Sequence, residues 1–366
     1  MINHKEHFHG SDLEKMEELF HVKKEDIISF SANINPLGVP LKLKEFLATN
    51  LDILSVYPDR EYRELREVIA TYCNCNSEHI LVGNGSTELI SQFIQMISPK
   101  KAVILAPTYS EYEKEISLVG GSPLYLPLNI NNNFAYDEPF VFSMLSNEID
   151  LFVICNPNNP TGTILNQIAL TKLLEHCHIH DILVLIDETY IEFVDSHEEY
   201  SAIPLIARYD NVIIIRGTSK FFACPGLRLG YAVTSNTDLI KKGNENIRPW
   251  SVSSIADAAG KHMFIDEDFI LNSKKLIHEE RTRVMEQLRK ISGLQVFPTY
   301  ANFCLIKILR TDISATIVFE TAMKKGLMVR NCSTFPFLND SYFRICFMLP
   351  EQNDTLIQCL TDLFHS

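Results

Sequence analysis

Continuous apolar runs alternate with helix-like patterns along the first two thirds of this chain, and this alternation most limits the possible folds. Helix-like patterns such as 88–96 and 169–175 separate the apolar runs, which are 79–82, 102–105, 151–154, 182–186 and 212–215. Apolar runs without polar alternation are typical of strands buried on both faces of a mostly parallel sheet. Ligands bind to such sheets just past the carboxyl ends of the strands. The sequence therefore predicts an α/β protein whose functional residues follow its strands.

The last third of the chain has a different pattern. A long charged helix is predicted over 268–290, and strands are predicted over 301–307 and 342–347. This arrangement indicates a smaller α+β domain after the large parallel-sheet domain. We place the large domain at 41–254 and the small domain at 255–366, because a chain of 366 residues has room for two hydrophobic cores.

Composition argues against several classes of function. The formal net charge is −13, from 33 basic and 46 acidic residues, which argues against a nucleic-acid partner and an anionic membrane surface. No apolar stretch reaches the length of a membrane span, and the polar start lacks the apolar core of a signal peptide. The nine cysteines are scattered and show no metal-ligand spacing. We therefore expect a cytoplasmic protein with reduced thiols, no metal site and a small-molecule ligand.

Lys220 lies in the segment 216–230, Arg-Gly-Thr-Ser-Lys-Phe-Phe-Ala-Cys-Pro-Gly-Leu-Arg-Leu-Gly, directly after an apolar run. A lysine can form a Schiff base with a carbonyl cofactor. The hydroxyl groups of Thr218 and Ser219 and the guanidinium of Arg228 can hold a phosphate beside that lysine. This combination indicates an enzyme that uses pyridoxal phosphate.

Residues 83–88, Gly-Asn-Gly-Ser-Thr-Glu, form a loop between a predicted strand and a predicted helix. Glycine lets the backbone approach a ligand closely, and a helix N-terminus presents free N–H groups to an anion. The loop therefore suits a phosphate group. An ordinary strand–turn–helix connection is the alternative explanation.

Two further loops follow predicted strands. The segment 156–162, Asn-Pro-Asn-Asn-Pro-Thr-Gly, is a rigid loop that can aim an amide side chain, and its alternative is an ordinary turn. Asp187 follows the next apolar run, where a buried carboxylate is costly without a partner. A protonated ring nitrogen would be such a partner, and a helix N-cap is the alternative.

Along the chain the motifs occur in the order 83–88, 156–162, 187–190 and 216–230. These four motifs, in that order, resemble the class I/II aminotransferase-type enzymes of fold type I, which depend on pyridoxal phosphate. The resemblance extends over nearly the whole chain. It implies a large α/β domain with a mostly parallel sheet between helices, a smaller α+β domain, and a homodimer. It also implies that residues 1–40 join the small domain and close over the site as a lid that excludes water.

The resemblance assigns a role at the cofactor ring to each motif. Lys220 is the lysine that attaches the cofactor, and Asp187 pairs with the pyridine nitrogen and keeps it protonated. Tyr190 and Asn159 form hydrogen bonds to the phenolic oxygen. Tyr109 stacks on the face of the ring.

The phosphate group is the second part of this implied cofactor site. The residues that the resemblance places around it are Gly85, Ser86, Ser219 and Arg228. Tyr57 is similar to a tyrosine that reaches the phosphate in a neighbouring subunit. Gly217 replaces a usual serine or threonine, and Cys224 replaces a usual aliphatic residue. Either Thr218 supplies the missing hydroxyl at the phosphate or one hydrogen bond is absent.

Three further segments resemble the threonine-phosphate decarboxylases of the cobalamin pathway. They are 9–10, 30–38 and 249–253, of which the run Phe-Ser-Ala-Asn-Ile-Asn-Pro-Leu-Gly at 30–38 is the most unusual. Ser11 departs from the His-Gly-Gly opening of those enzymes. Histidinol-phosphate aminotransferases share the other motifs. The residues that this resemblance places around the substrate are His9, Gly10, Asn33, Asn159, Arg330 and Arg344.

This resemblance implies the decarboxylation of an O-phospho-L-amino acid, whose carboxylate and phosphate the two arginines can hold by charge-assisted bonds. Each arginine alone is equally explained by a surface ion pair. Threonine phosphate would give aminopropanol phosphate, and serine phosphate would give phosphoethanolamine; their one-methyl difference is worth only about 1–3 kcal/mol. Two alternatives stay open: a histidinol-phosphate-like aminotransferase and a non-catalytic regulator that binds pyridoxal phosphate.

Overall fold

The structure, a computed structural model, describes residues 12–246 and 248–365. His9 and Gly10, two of the predicted substrate residues, lie outside the described residues. The helices are α1 (Leu13–Phe20), α2 (Leu41–Thr49), α3 (Arg63–Cys73), α4 (Ser86–Ile97), α5 (Glu111–Leu118), α6 (Glu138–Met144), α7 (Gln167–Ile179), α8 (Thr237–Asn246), α9 (Ser254–Met263), α10 (Glu267–Leu288), α11 (Ala315–Met323) and α12 (Pro350–His365).

The strands are shorter than the helices and belong to three sheets within the described part of the chain. They are β1 (Ile28–Ser29), β2 (Ile80–Gly83), β3 (Lys101–Ala106), β4 (Ser122–Pro127), β5 (Leu151–Cys155), β6 (Leu183–Asp187), β7 (Val212–Gly217), β8 (Gly230–Val233), β9 (Leu294–Val296), β10 (Phe303–Ile308), β11 (Leu327–Met328), β12 (Arg330–Asn331) and β13 (Tyr342–Cys346).

The main sheet has the strand order β2-β8-β7-β6-β5-β3-β4 among the described residues. Pairs among β4, β3, β5, β6 and β7 are parallel, whereas β8 runs antiparallel to both of its neighbours. The five apolar runs correspond to β2, β3, β5, β6 and β7, so the prediction of a mostly parallel α/β sheet is confirmed. The runs did not indicate β4 or β8, since β4 alternates exposed and half-buried residues and β8 is only four residues long.

Burial on both faces explains why these strands lack polar alternation. Every residue of β5 and β7 is buried, including the last residues before the site. One hydrophobic cluster contains Phe152 and Ile214, and a second contains Val153 and Ile215 on the opposite face. Alternate residues of one strand therefore belong to different layers of helices, as the twofold repeat of a strand requires.

The small sheet lies in the C-terminal third and has the order β12-β13-β10-β9, with antiparallel pairs. The long charged helix predicted over 268–290 is α10. Strand β1 pairs in parallel with β11, so a strand near the start of the chain lies against this C-terminal part. The exact domain division, with a segment over 1–40, stays a prediction.

Two observations concern the chain as a whole. Within the described ranges, no helix is both long enough and apolar enough to cross a bilayer. All nine cysteines lie among the described residues as free thiols, and most of them are buried.

Candidate active site

A cavity of about 440 Å³ lies at the carboxyl ends of β5, β6 and β7. Parallel strands end at the same edge of a sheet, so their following loops meet there. Most of the residues predicted for the site line this cavity: Ser86, Tyr109, Asn159, Asp187, Tyr190, Ser219, Lys220, Arg228, Arg330 and Arg344. Gly85 and Asn33 adjoin it through neighbouring residues, whereas Tyr57 does not line it.

Lys220 lies three residues after the end of β7 and its amine reaches the cavity. The Nζ atom donates a hydrogen bond to the carbonyl oxygen of Ala32 at 2.7 Å. Burial, and to a smaller extent the positive charge of Arg344, lower the pKa of the Lys220 amine to about 8. A lysine with a lowered pKa is a better nucleophile near neutral pH, because more of it carries a free electron pair.

Asp187 ends β6 and is almost fully buried at the bottom of the cavity. Tyr112 donates its hydroxyl to Oδ2 at 2.6 Å, and the backbone N–H of Thr189 donates to Oδ1 at 2.9 Å. Burial raises the pKa of Asp187, while these hydrogen bonds lower it. A buried carboxylate with this arrangement favours a cationic partner within the cavity, such as a protonated ring nitrogen.

The glycine loop brings the N-terminus of α4 to the rim of the cavity. Gly85 has φ +88°, and a Cβ atom there would collide with the guanidinium of Arg228. Gly230 similarly lets the backbone nitrogen of Ser86 approach the main sheet. A helix N-terminus, an arginine and the nearby hydroxyl of Ser219 together form a cradle that suits a phosphate dianion.

The hydroxyl of Thr218 does not compensate for Gly217. Thr218 Oγ1 is fully buried and donates to the carbonyl oxygen of Leu229 at 3.1 Å, away from the cavity lining. A Cβ atom at position 217 would lie 3.3 Å from the Cβ and Oγ atoms of Ser86. Gly217 therefore gives Ser86 room at the rim, and the second sequence-based alternative, one hydrogen bond fewer, fits the structure.

Asn33 and Tyr190 form a buried pair beside Lys220. The Nδ2 atom of Asn33 donates to the Tyr190 hydroxyl oxygen at 3.3 Å, and Asn33 itself has φ +56°. Burial raises the pKa of Tyr190, against the opposing effects of Arg344 and of the Asn33 hydrogen bond. Because its oxygen accepts from Asn33, the O–H of Tyr190 remains able to donate into the cavity.

Two arginines reach the cavity from the small sheet. Arg330 and Arg344 are direct partners in the β12–β13 pairing. Arg344 donates to Asn159 Oδ1 and, at 2.6 Å, to the Ser31 carbonyl oxygen, and its guanidinium lies over the Phe303 ring. Its Nε atom is buried without a hydrogen-bond partner among the described residues. This unmatched donor indicates a guanidinium that has capacity left for a ligand.

Arg330 is held differently. Its guanidinium donates to Thr334 Oγ1 at 3.2 Å and lies 5.5 Å from the centre of the Phe335 ring. Burial lowers the pKa of Arg330 to about 10. The two guanidinium groups therefore bring positive charge to the same wall of the cavity, which favours a ligand with more than one anionic group.

The segment 30–35, here called the bridging segment, connects the two parts of the site. Four consecutive carbonyl oxygens, those of residues 30 to 33, each accept a hydrogen bond. The donors, in order, are Cys346 N at 2.8 Å, Arg344 Nη2 at 2.6 Å, Lys220 Nζ at 2.7 Å and Asn302 Nδ2 at 3.0 Å. Three donors come from the small-sheet region and one from the loop after β7, so the segment links them.

Tyr57 lies away from the cavity of its own chain. It is 78% exposed, and its ring lies against that of Trp250 in a tilted arrangement, with centroids 4.6 Å apart and an angle of 35° between the ring planes. An exposed aromatic pair of this kind is a suitable contact surface for another protein molecule.

Several residues that support the site were not recognised from the sequence. Tyr112 and Thr189 bind Asp187, and Ala32 binds Lys220 through a backbone atom. Behind the sheet, Arg216 and Glu188 form a buried ion pair at 2.7 Å. The only available signal for that pair was two charged residues at the ends of neighbouring apolar runs.

These residues fit pyridoxal phosphate. Asp187 can bind the pyridine nitrogen, Lys220 can attach the aldehyde carbon, and Tyr109 lines the cavity as an aromatic face. The cradle of Gly85 and Arg228 would be filled by a side chain at position 85, which is consistent with a phosphate group bound close to the backbone.

The fold and the site define a class of protein. A family model described as Aminotransferase class I and II matches residues 25–360, so the chain belongs to that family. Members of this family depend on pyridoxal phosphate, and the protein is a pyridoxal-phosphate-dependent enzyme of the class I/II type.

Similar curated proteins carry two kinds of name. A protein of Caldanaerobacter subterraneus subsp. tengcongensis, provisionally named a threonine-phosphate decarboxylase, is 38% identical over 91% of this chain and 89% of its own length. The threonine-phosphate decarboxylase of Salmonella typhimurium is 29% identical over 97% and 96%. The histidinol-phosphate aminotransferase of Geobacillus sp. is 33% identical over 92% and 90%.

Similar solved structures also include both a histidinol-phosphate aminotransferase and a threonine-phosphate decarboxylase. The histidinol-phosphate aminotransferase of Clostridium acetobutylicum matches with a TM-score of 0.86 and 31% identity, covering 92% of this chain and 98% of that one. The L-threonine-O-3-phosphate decarboxylase of Porphyromonas gingivalis matches with a TM-score of 0.81 and 26% identity, covering 92% and 99%. The prediction of a fold type I enzyme near both groups is confirmed.

Proposed function

We propose that this enzyme decarboxylates an O-phospho-L-amino acid, either O-phospho-L-threonine to aminopropanol phosphate or O-phospho-L-serine to phosphoethanolamine. The observation that carries this proposal is the pair of arginines, Arg330 and Arg344, on one wall of the cavity that contains Lys220. The relative that is 38% identical and named as a threonine-phosphate decarboxylase supports the same choice.

Charge explains why the paired arginines favour this class of substrate. An O-phospho-L-amino acid carries a carboxylate and a phosphate, and each can accept forked hydrogen bonds from one guanidinium. Arg344 is buried and held by three neighbours, so it can orient a carboxylate closely. Arg330 is partly exposed and interacts electrostatically with Asp12, directly before α1, whose Leu13 also lines the cavity. We assign the carboxylate to Arg344 and the phosphate to Arg330.

The choice of reaction follows from orientation. Bound pyridoxal phosphate supplies an electron sink that weakens whichever Cα bond stands perpendicular to its ring. Arg344 and Asn33 hold the substrate so that this bond is the one to the carboxylate, and the same residues could instead present the Cα–H bond. The small-domain arginines and the bridging segment thus select the reaction, while Lys220 and Asp187 serve either reaction.

Proton transfer is assigned to Lys220. Its amine reaches the cavity and has a pKa of about 8, so it can both release and accept a proton near neutral pH. After carbon dioxide leaves, Cα must gain one proton, and we propose that Lys220 delivers it. Asp187 stays at the far end of the cavity, where its buried carboxylate keeps the pyridine nitrogen protonated.

Product analysis tests the proposal. The purified enzyme is incubated with O-phospho-L-threonine, O-phospho-L-serine or histidinol phosphate, each with and without 2-oxoglutarate. From the two phospho amino acids we expect carbon dioxide and the phosphorylated amine without 2-oxoglutarate, from histidinol phosphate we expect no product, and the Lys220→Ala variant should show no turnover. A requirement for 2-oxoglutarate, with glutamate as product, would overturn the proposal.

A histidinol-phosphate-like aminotransferase is the second candidate. The aminotransferase relative at 33% identity and the structural match with a TM-score of 0.86 favour it. The same incubation distinguishes the aminotransferase from the decarboxylase, because only transamination consumes 2-oxoglutarate.

A non-catalytic regulator that binds pyridoxal phosphate is the third hypothesis. The presence of Lys220, Asp187 and Arg228 around one cavity favours an enzyme over such a regulator.

We also propose a homodimer in which Tyr57 reaches the cofactor phosphate of the partner subunit. The exposure of Tyr57 and of neighbouring apolar side chains, Leu54 and Val56, supports this contact. Sedimentation should show a dimer. The Tyr57→Phe variant should bind the cofactor more weakly but remain a dimer. A monomer with full activity would exclude the arrangement.

The N-terminal segment is proposed to act as the lid. Leu13 of α1 lines the cavity, and β1 pairs with the C-terminal strand β11, so the described part of this segment already lies at the site. Deleting residues 1–11 should raise the KM for the phosphorylated substrate and leave the absorbance of the bound cofactor unchanged. An unchanged KM would contradict a lid.

A further inference from the structure

Asn302 lies one residue before β10 and belongs to none of the motifs that predicted the site. We propose that Asn302 is a positioning residue, whose side-chain amide holds the backbone of Asn33 so that the Asn33 amide stays on the Tyr190 hydroxyl. The inference rests on the proposed function in one respect, namely that Asn33 and Tyr190 face the reacting molecules.

The contact itself is short and enclosed. Asn302 Nδ2 donates to the carbonyl oxygen of Asn33 at 3.0 Å, and both residues are at most 1% exposed. The backbone of Asn302 is held in turn, because Phe347 N donates to its carbonyl oxygen at 2.9 Å. Water cannot readily replace a hydrogen bond at so buried a position, so removing the donor leaves the Asn33 carbonyl unsatisfied.

The backbone of Asn33 is in a sparsely populated conformation. Its φ of +56° is in the left-handed region, which asparagine adopts more readily than most residues besides glycine, but which neighbouring contacts still have to hold. The Asn302 hydrogen bond acts on the carbonyl group of this same residue. If it is lost, Asn33 can relax toward extended backbone, and its side chain then turns away from Tyr190.

The effect reaches the cavity through Tyr190. Asn33 Nδ2 donates to the Tyr190 oxygen at 3.3 Å, which leaves the tyrosine O–H able to donate into the cavity. Phe303, directly after Asn302, packs its ring edge-to-face on Tyr190 with centroids 4.9 Å apart and also lies under Arg344. The start of β10 therefore positions Asn33, Tyr190 and Arg344 together.

The first experiment compares Asn302→Ala with the wild-type enzyme loaded with pyridoxal phosphate. We expect kcat/KM to fall by about tenfold or more, as for a lost buried hydrogen bond. The pH midpoint of the visible absorbance of the bound cofactor should shift in the same direction as in Tyr190→Phe. In the Tyr190→Phe background, adding Asn302→Ala should produce no further shift, because both changes act through the same hydroxyl.

Asn353 provides a matched control. It is also a buried asparagine of the C-terminal region, and its Nδ2 atom donates to Glu280 Oε2 and to the Met348 carbonyl oxygen, both at 2.7 Å. Asn353→Ala should lower the free energy of unfolding and leave the absorbance midpoint unchanged. If Asn302→Ala shows that same result, Asn302 is only structural and the inference is overturned.

Two precautions keep the test decisive. Asn302→Leu keeps the branched shape of the side chain and removes the donated N–H, so it answers the same question if the alanine variant does not fold. The reaction products are measured in the same samples. Glutamate in place of carbon dioxide would overturn the proposed function, while the absorbance midpoints would still decide the role of Asn302.

Discussion

The two halves of the active site are built in different ways. On the cofactor side, Asp187 ends β6, Lys220 follows the neighbouring strand β7, and the sheet register brings them together. On the substrate side, Arg344 donates to the carbonyl oxygen of Ser31, 313 positions earlier in the chain, and to the side chain of Asn159. The cofactor side is formed by the ends of adjacent strands, whereas the substrate side is formed by segments that are far apart in the sequence.

This difference suggests that one set of residues holds the cofactor, and another set selects which bond of the substrate breaks. The cofactor side lies on buried strands, and in the proposed mechanism it would serve any reaction that weakens a bond at Cα. The substrate side depends on hydrogen bonds between the bridging segment and the small sheet. Changes on the first side should remove activity altogether, whereas changes on the second should alter affinity and the choice of reaction.

The largest effect is expected for Lys220→Ala. Turnover should fall by on the order of 10⁴-fold or more, because the variant loses both the attachment of the cofactor and the proton donor. The free energy of unfolding should change by no more than about 1–3 kcal/mol, since one hydrogen bond is lost. Steady-state kinetics and chemical denaturation measure the two quantities, and appreciable residual turnover would refute the cofactor-side assignment.

Arg344→Gln should have the next largest effect. We expect kcat/KM to fall by about 10²–10³-fold, because a buried group with forked hydrogen bonds is lost, while the cofactor stays bound. Arg330→Gln, at a more exposed position, should cost about tenfold and act mainly on KM. Equal losses for the two variants would contradict the assignment of carboxylate and phosphate. Cofactor absorbance provides the control for folding.

The pH dependence of cofactor attachment tests whether the substrate side affects the cofactor side. Lys220 must be neutral to attack the aldehyde, and its pKa is lowered to about 8 by burial and then by Arg344. The attachment rate should therefore rise with pH and level off above about pH 8, instead of near the ordinary value of 10.5. In Arg344→Gln the midpoint should move to higher pH. An unchanged midpoint would show that the two sides are electrostatically independent, and a lower midpoint would contradict the repulsion between Arg344 and Lys220.

The same pKa predicts a stability change in the cofactor-free protein. Between the folded-state value of about 8 and the unfolded value of 10.5, the unfolded chain binds more protons at this residue. The contribution of Lys220 to the free energy of unfolding therefore rises with pH across that window and is least favourable below it. Lys220→Met should lack this rise when denaturation is measured from pH 7 to pH 10.

The smallest effect is expected at Gly217. Gly217→Ser would add a hydroxyl beside Ser86, and we expect cofactor affinity to rise by up to about tenfold. Gly217→Ala is the matched control, because its Cβ meets Ser86 at the same 3.3 Å without adding a donor. Cofactor titration measures both variants. If serine and alanine behave alike, the phosphate cradle has no position for a further hydroxyl.

Sequence reasoning worked best where a function depends on consecutive residues. Lys220 and Asp187 could be predicted because each follows a continuous apolar run and lies in a recognisable motif. Arg330 and Arg344 could be proposed one at a time, but their register as direct partners was not visible. Tyr112, Ala32 and Asn302 were missed, since a tyrosine on a helix, a backbone carbonyl and an asparagine before a strand carry no distinctive pattern.

The sequence by itself determined five strands of the main sheet, the cofactor and the lysine proposed to attach it, because apolar periodicity and short motifs encode these features locally. The tertiary structure alone decided that Thr218 binds Leu229 and not the cavity, and that Asn302 supports Asn33. Hydrogen bonds act over about 3 Å, so their partners depend on where distant segments finally lie. Local patterns specify strands and loops, and only the packed molecule specifies which remote atoms come within that distance.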